Sequence, residues 1–79
     1  MDEPLALTDP KFVALGLATG ARLASTRELP NGRLEFLLDR IPHDFIQRVL
    51  NDEITVSGKR FIDAMEGVLA ILAARRRCR

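Results

Sequence analysis

Leu34, Phe36 and Leu38 are apolar, while Arg33, Glu35 and Asp39 alternate with them. A period of two predicts a strand with one face buried. Just before it stands Pro30-Asn31-Gly32, a strong turn signal in which Asn-Gly suits positive φ. The residues from Arg22 to Leu29 are extended in character but weaker in pattern. Together the two runs predict an antiparallel β-hairpin, with the second strand under the helices and the first as an exposed edge.

On either side of the hairpin the spacing changes to three and four. Phe12, Leu15 and Ala18, flanked by Val13 and Leu17, form the apolar stripe of a first helix. Asp9 caps it, Pro10 fits its first position, and Gly20 suits a left-handed residue after its last turn. Gly16 is mid-helix, where glycine costs about 1 kcal/mol against alanine, and suggests close approach of another element. After the hairpin, "IPHDFIQRVLND" predicts a short helix starting near Pro42, with Phe45, Ile46, Val49 and Leu50 on its buried side. "EITV" is an extended link, and Ser57 caps a last helix running from about Gly58 into the arginines.

That last helix is the most informative element. Phe61, Met65, Val68, Leu69 and Leu72 make a regular stripe, widened by Ile62, Ala64, Ile71 and Ala73. The apolar arc covers roughly 200°, and packing on one sheet needs about half of that. Either this helix is central, touched by both other helices and the hairpin, or part of its arc meets another chain. In the second case Ile62, Leu69 and Ala73, which share one edge, form the partner interface, most simply in a homodimer.

The elements specify one small α+β domain over residues 1–79: N-terminal helix, two-stranded antiparallel hairpin, short helix and long amphipathic C-terminal helix. Residues 1–7 are expected to be flexible and 75–79 to form a basic tail. The element order, carried by "DPKFVALGLATG", "RLEFLLD" and "NDEITVSGKRFIDAMEGVLAIL", resembles a family of small stand-alone bacterial domains of unknown function. The likeness runs from about Thr8 to Arg75. It lies in packing patterns and implies this fold, with no activity to carry over.

Charge sharpens the picture at one end only. The 79 residues hold 12 Lys and Arg against 11 Asp and Glu. Four of the cations are Arg75, Arg76, Arg77 and Arg79, which leaves residues 1–74 with eight cations and 11 anions. A mildly acidic body carries a strongly basic end, so attraction for polyanions has to come from that end. A chain this short buries only about 60% of its unfolded surface, so its stability is expected to be marginal. One cysteine, Cys78, fits a reducing compartment. One Cys and one His cannot supply a four-ligand zinc cage. No apolar run reaches the length of a membrane span, and "MDEPLALTDP" lacks a basic signal-peptide start. The chain is therefore expected to be cytoplasmic, beginning at Met1.

Catalytic chemistry is thin. His43, the single histidine, stands beside Pro42 and Asp44, and helix neighbours do not face each other. Cys78 lies among arginines that favour its thiolate, but one residue from the end of the chain it has no fixed frame. Asp52-Glu53 opposes a helix dipole and reads as a solvated connector. "TGARLAS" lacks the lysine and spacing of a phosphate loop. No enzyme and no cofactor are expected. The tail remains. One or two arginines would complement a helix end, whereas four in five positions suit bidentate phosphate contact. Tyr and Trp are absent and the four Phe read as core, so base stacking has little support. The expectation is a non-enzymatic accessory protein touching the phosphate backbone of nucleic acid through Arg75, Arg76, Arg77 and Arg79, without sequence preference. The rival is a protein-interaction or oligomerisation subunit whose arginines meet an acidic protein. Membrane attachment is not expected, since one basic cluster without a lipid anchor binds weakly. Arg22, Arg27 and Arg33 are the body residues that would join the tail in a nucleic-acid surface, diluted by Glu28 and Glu35.

Overall fold

The computed structural model describes residues 4–77, with side chains through Arg75. Three strands and three helices follow in the order β1 (Leu5–Leu7), α1 (Pro10–Ala18), β2 (Arg22–Glu28), β3 (Leu34–Asp39), α2 (Phe45–Leu50) and α3 (Gly58–Arg77). The α+β class, the short second helix and the long C-terminal helix are as the sequence predicts. The sheet gains a strand, however. Leu5–Leu7, within the segment expected to be flexible, pairs antiparallel with β3, Leu5 opposite Leu38 and Leu7 opposite Phe36. The sheet order is β1-β3-β2, so the predicted hairpin forms and β2 is an edge. The physical reason for the third strand is the second edge of β3, whose backbone N–H and C=O groups beside the apolar face would otherwise stay open. Leu7 covers it and is buried, but three residues are too few to show a period.

The hairpin loop differs from the expected Asn-Gly turn. Gly32 has φ of 85°, and Asn31 is not among the positive-φ residues. The Gly32 N–H donates to the Leu29 carbonyl at 2.9 Å, and the Leu29 N–H to the Arg33 carbonyl at 2.8 Å. This is a three-residue loop in which only the last position needs glycine. Asn31 instead uses its side chain, whose Oδ1 accepts from the Arg33 N–H at 3.0 Å. On β2 the ladder slips between Leu23 and Ser25. That bulge, the exposed position and the charges of Arg22, Arg27 and Glu28 blunt the edge against further pairing.

Alternation in β3 sorts its faces. Leu34, Phe36 and Leu38 are buried, and they join Leu7, Val13, Ala14 and Val68 in the core. Glu35 and Asp39 point to the other face, where they pair with Arg27 and with Arg22 (3.0 Å) of β2. Helix α1 packs on α3, β1 and β3. It is buried or half-buried from Phe12 to Ala18, with Val13, Ala14, Gly16 and Ala18 the most enclosed. The central helix is thus α1, and the expected Phe12–Leu15–Ala18 stripe is only part of its covered surface, because two neighbours share it. A Cβ on Gly16 would stand 2.8 Å from Leu38 Cδ1 and 3.0 Å from Ile41 Cδ1. Close approach to the sheet therefore explains this glycine.

Caps fix the helix ends. Asp9 accepts from the Lys11 N–H at 2.9 Å, with Pro10 at the first helical position. After α1, the Gly20 N–H bonds the Leu17 carbonyl and the Ala21 N–H the Gly16 carbonyl, both at 3.1 Å. This is a Schellman ending, with Gly20 at φ of 109°. The same ending closes α2. The Asp52 N–H bonds the Val49 carbonyl at 3.0 Å and the Glu53 N–H bonds the Arg48 carbonyl at 2.8 Å, with Asp52 at φ of 60°. Helix α2 starts at Phe45, not near Pro42, because residues 42–45 form a turn closed by the Phe45 N–H on the Pro42 carbonyl. Phe45 is buried, but Leu50, expected inside, is 69% exposed. Ser57 precedes α3, its carbonyl accepting from the Phe61 N–H at 3.0 Å and its hydroxyl at a long 3.5 Å from the Arg60 N–H.

Candidate functional site

The first arginine of the basic end of α3 is tied to the body. Helix α3 continues through Arg77. Its inward stripe at spacings of three and four, with Val68 buried and Phe61, Ala64, Met65, Ile71 and Leu72 half-buried, brings Arg75 over the hairpin loop. There Arg75 Nη2 donates to the Gly32 carbonyl at 2.9 Å and meets Glu28 Oε1 at 2.6 Å. Its side chain is only 22% exposed. Arg75 was expected as a phosphate contact, but its guanidinium is already engaged within the fold. Arg76 and Arg77 follow on the same helix; Arg79, and with it Cys78, lies outside the described residues.

Beside Arg75 opens a groove of about 570 Å³. Thr8, Asp9 and Lys11 from the start of α1, Gly32 and Arg33 from the hairpin loop, and Leu72 with Arg75 from α3 border it. Three stretches far apart in sequence meet here because α1 and α3 pack side by side above the β3 end of the hairpin. The cations on this surface differ in how they are spent. Arg75 is balanced by Glu28. Among the described residues Lys11 and Arg33 enter no ion pair, and both are exposed. Asp9, the one acid among the described residues of the rim, is the cap of α1.

Of the body arginines expected to converge with the tail, Arg33 alone borders the groove that Arg75 lines, among the described residues. Arg22 and Arg27 lie on the outer face of the sheet, held by Asp39 and Glu35. Lys11 was not anticipated. Its position three residues into α1 carries no signal of a partner, and only the packing of α1 against α3 places it near the arginines.

The second candidate surface is apolar. Ile62 is 57% and Leu69 49% exposed, and Ala73 is exposed with them along one edge of α3. Leu69, which the sequence places both in the apolar stripe and on the edge with Ile62 and Ala73, faces out with that edge. Its angular position lies too far from the Val68–Leu72 line for α1 to reach.

The residues considered for catalysis remain apart. His43 is exposed in the turn before α2, and Asp44 binds Arg48 one helical turn on, at 3.1 Å. Lys59 and Asp63 pair at 2.9 Å, as their spacing suggests. Among the described residues no group of three or more His, Cys, Asp or Glu could hold a metal ion, and no helix is long and apolar enough to cross a membrane. No protein-family model, curated protein or solved structure matches the chain.

Proposed function

We propose that this chain is a small, non-enzymatic, cytoplasmic accessory protein that contacts the phosphate backbone of nucleic acid without sequence preference. Arg76, Arg77 and Arg79 are the contacting residues, and Arg75 fixes the helix end that carries them. The observation that supports this most is the pinning of Arg75 to Glu28 and to the Gly32 carbonyl. It sets the start of a dense arginine run on a rigid support, so less side-chain and backbone freedom is lost on binding. Arginine offers bidentate contact to phosphate, and such contacts position a duplex without reading its bases. The element order also agrees with the family of small bacterial domains that the sequence resembles, and membership of that family is part of the proposal.

The test is duplex binding as a function of salt. The intact protein is expected to bind weakly at low salt, with log affinity falling by about 0.9 per phosphate contacted for each decade of salt. Changing Arg76, Arg77 and Arg79 to Gln while keeping Arg75 is expected to remove most of that binding and leave the fold intact. Binding that survives the triple change would move the site elsewhere, and absence of binding by the intact protein would overturn the proposal.

A second reading, an interaction or oligomerisation subunit, is favoured by the exposed Ile62, Leu69 and Ala73 edge. In that case the arginines serve an acidic protein, and an acidic polypeptide would bind where a duplex does not.

A further inference from the structure

We infer that Lys11 and Arg33 form a second phosphate-holding site, on the body of the domain, in the groove where α1 begins, the hairpin turns and α3 ends. The inference rests on the proposed role of the C-terminal arginines and extends it to residues that lie 64 and 42 positions before Arg75. Both cations stand on backbone that is already fixed. Lys11 is in the capped first turn of α1, its N–H on Asp9. Arg33 is held through its N–H on Asn31 and its carbonyl on the Leu29 N–H. Both side chains are exposed, and neither is neutralised by an acid among the described residues. Two like charges are thus kept on one rim, where the one acid among the described lining residues is Asp9, whose carboxylate already accepts a backbone N–H, and the nearby Glu28 is taken by Arg75. A phosphate between them relieves that repulsion and gains two charge-assisted hydrogen bonds.

The groove also has the right neighbours. Arg75 lines it, and α3 runs on from Arg75 to Arg77, so the groove adjoins the helix end that carries the arginine run. A phosphate chain laid in the groove continues onto the helix end without crossing the sheet face, where Asp39 and Glu35 lie. Arg75 itself takes no ligand in this arrangement. Engaged by Glu28 and Gly32, it is the post between the two sets of contacts.

The experiment measures anisotropy of a short, fluorescently labelled, mixed-sequence DNA duplex across a salt series. Intact protein is compared with Lys11→Gln/Arg33→Gln and with Arg40→Gln/Arg60→Gln. The second pair loses the same charge from two other cations that make no ion pair among the described residues, outside the groove. The groove variant is expected to lose about ten-fold in affinity at low salt, and its log–log slope to shrink by about 0.9 for each contact removed. The control variant is expected to keep the intact slope. Equal weakening of both variants, or a groove variant that binds like the intact protein, overturns the inference while the arginine proposal stands. No binding by the intact protein overturns both. Thermal melts of the two variants, expected to match that of the intact protein because all four side chains are exposed, separate lost binding from lost fold.

Discussion

Gly20 and Asp52 do the same job in different ways. Each is the left-handed residue that closes a Schellman ending, at φ of 109° and 60°. A side chain on Gly20 would meet nothing within 4 Å, so the strain of Gly20→Ala comes from backbone conformation alone, about 1 kcal/mol or more. Asp52 bears that strain already, and its carboxylate sits at the negative end of α2. Relief of both terms outweighs the entropy that glycine adds to the unfolded chain. Asp52→Gly is therefore expected to stabilise the domain by about 0.5–1 kcal/mol. A melting temperature that stays level or falls would show that the aspartate makes a compensating contact. Gly16 is the opposite case, limited by space. Gly16→Ala gains about 1 kcal/mol of helix propensity but forces a methyl against Leu38 and Ile41, and overpacking of this kind costs about 1–3 kcal/mol. The net expectation is a loss of roughly 1 kcal/mol, seen as a Tm lowered by several degrees in a domain of this size.

Within the elements, the period of the hydrophobic pattern told which face was buried only where one neighbour does the burying. In β3 the alternation gave Leu34, Phe36 and Leu38 correctly, because helices cover one face and charged pairs occupy the other. In α1 the expected stripe is only part of the buried surface, because the helix is covered from two sides. In α3 the pattern overstated burial. The arc includes Ile62 and Leu69, which α1 cannot reach. Phe36 is fully buried and Phe61 only half-buried, so the two phenylalanines no longer rank together. Phe36→Ala is expected to cost about 3–5 kcal/mol, enough to unfold a domain this small, and Phe61→Ala clearly less, as chemical denaturation of both will show. The candidate site was half legible. The density of arginines stands out in one dimension, whereas the partners of Arg75 lie more than forty residues upstream and carry no mark that predicts them. Arg75→Gln is expected to destabilise the fold by about 1–2 kcal/mol, through loss of a charged donor to a part-buried carbonyl. The exposed glutamate contributes little of that. An Arg75→Gln variant as stable as the intact protein would return Arg75 to the set of available phosphate contacts.

At the scale of the molecule, the exposed edge of α3 bears on self-association. Stable interfaces bury about 800 Å² per partner, far more than Ile62, Leu69 and Ala73 offer, and two of these are already about half covered. Any dimer on this edge is therefore weak. Sedimentation under reducing conditions is expected to give the 8.8 kDa monomer when dilute and a rising mass when concentrated, and Leu69→Glu is expected to abolish the rise. A mass independent of concentration, or a rise that persists in Leu69→Glu, would discount this edge as an interface. The order of the strands has a consequence of another kind. β3 is the middle strand but the last to appear as the chain grows from its N-terminus, so β1 has no partner until residue 39 has been made. The β2–β3 hairpin closes a loop of three residues, whereas pairing Leu7 with Phe36 closes one of nearly thirty and carries the larger entropic cost. The first strand synthesised is thus the last to join the sheet. In hydrogen exchange the amides of the β1–β3 pairing should open before those of the β2–β3 hairpin, which makes the N-terminal edge the place where the folded domain begins to come apart.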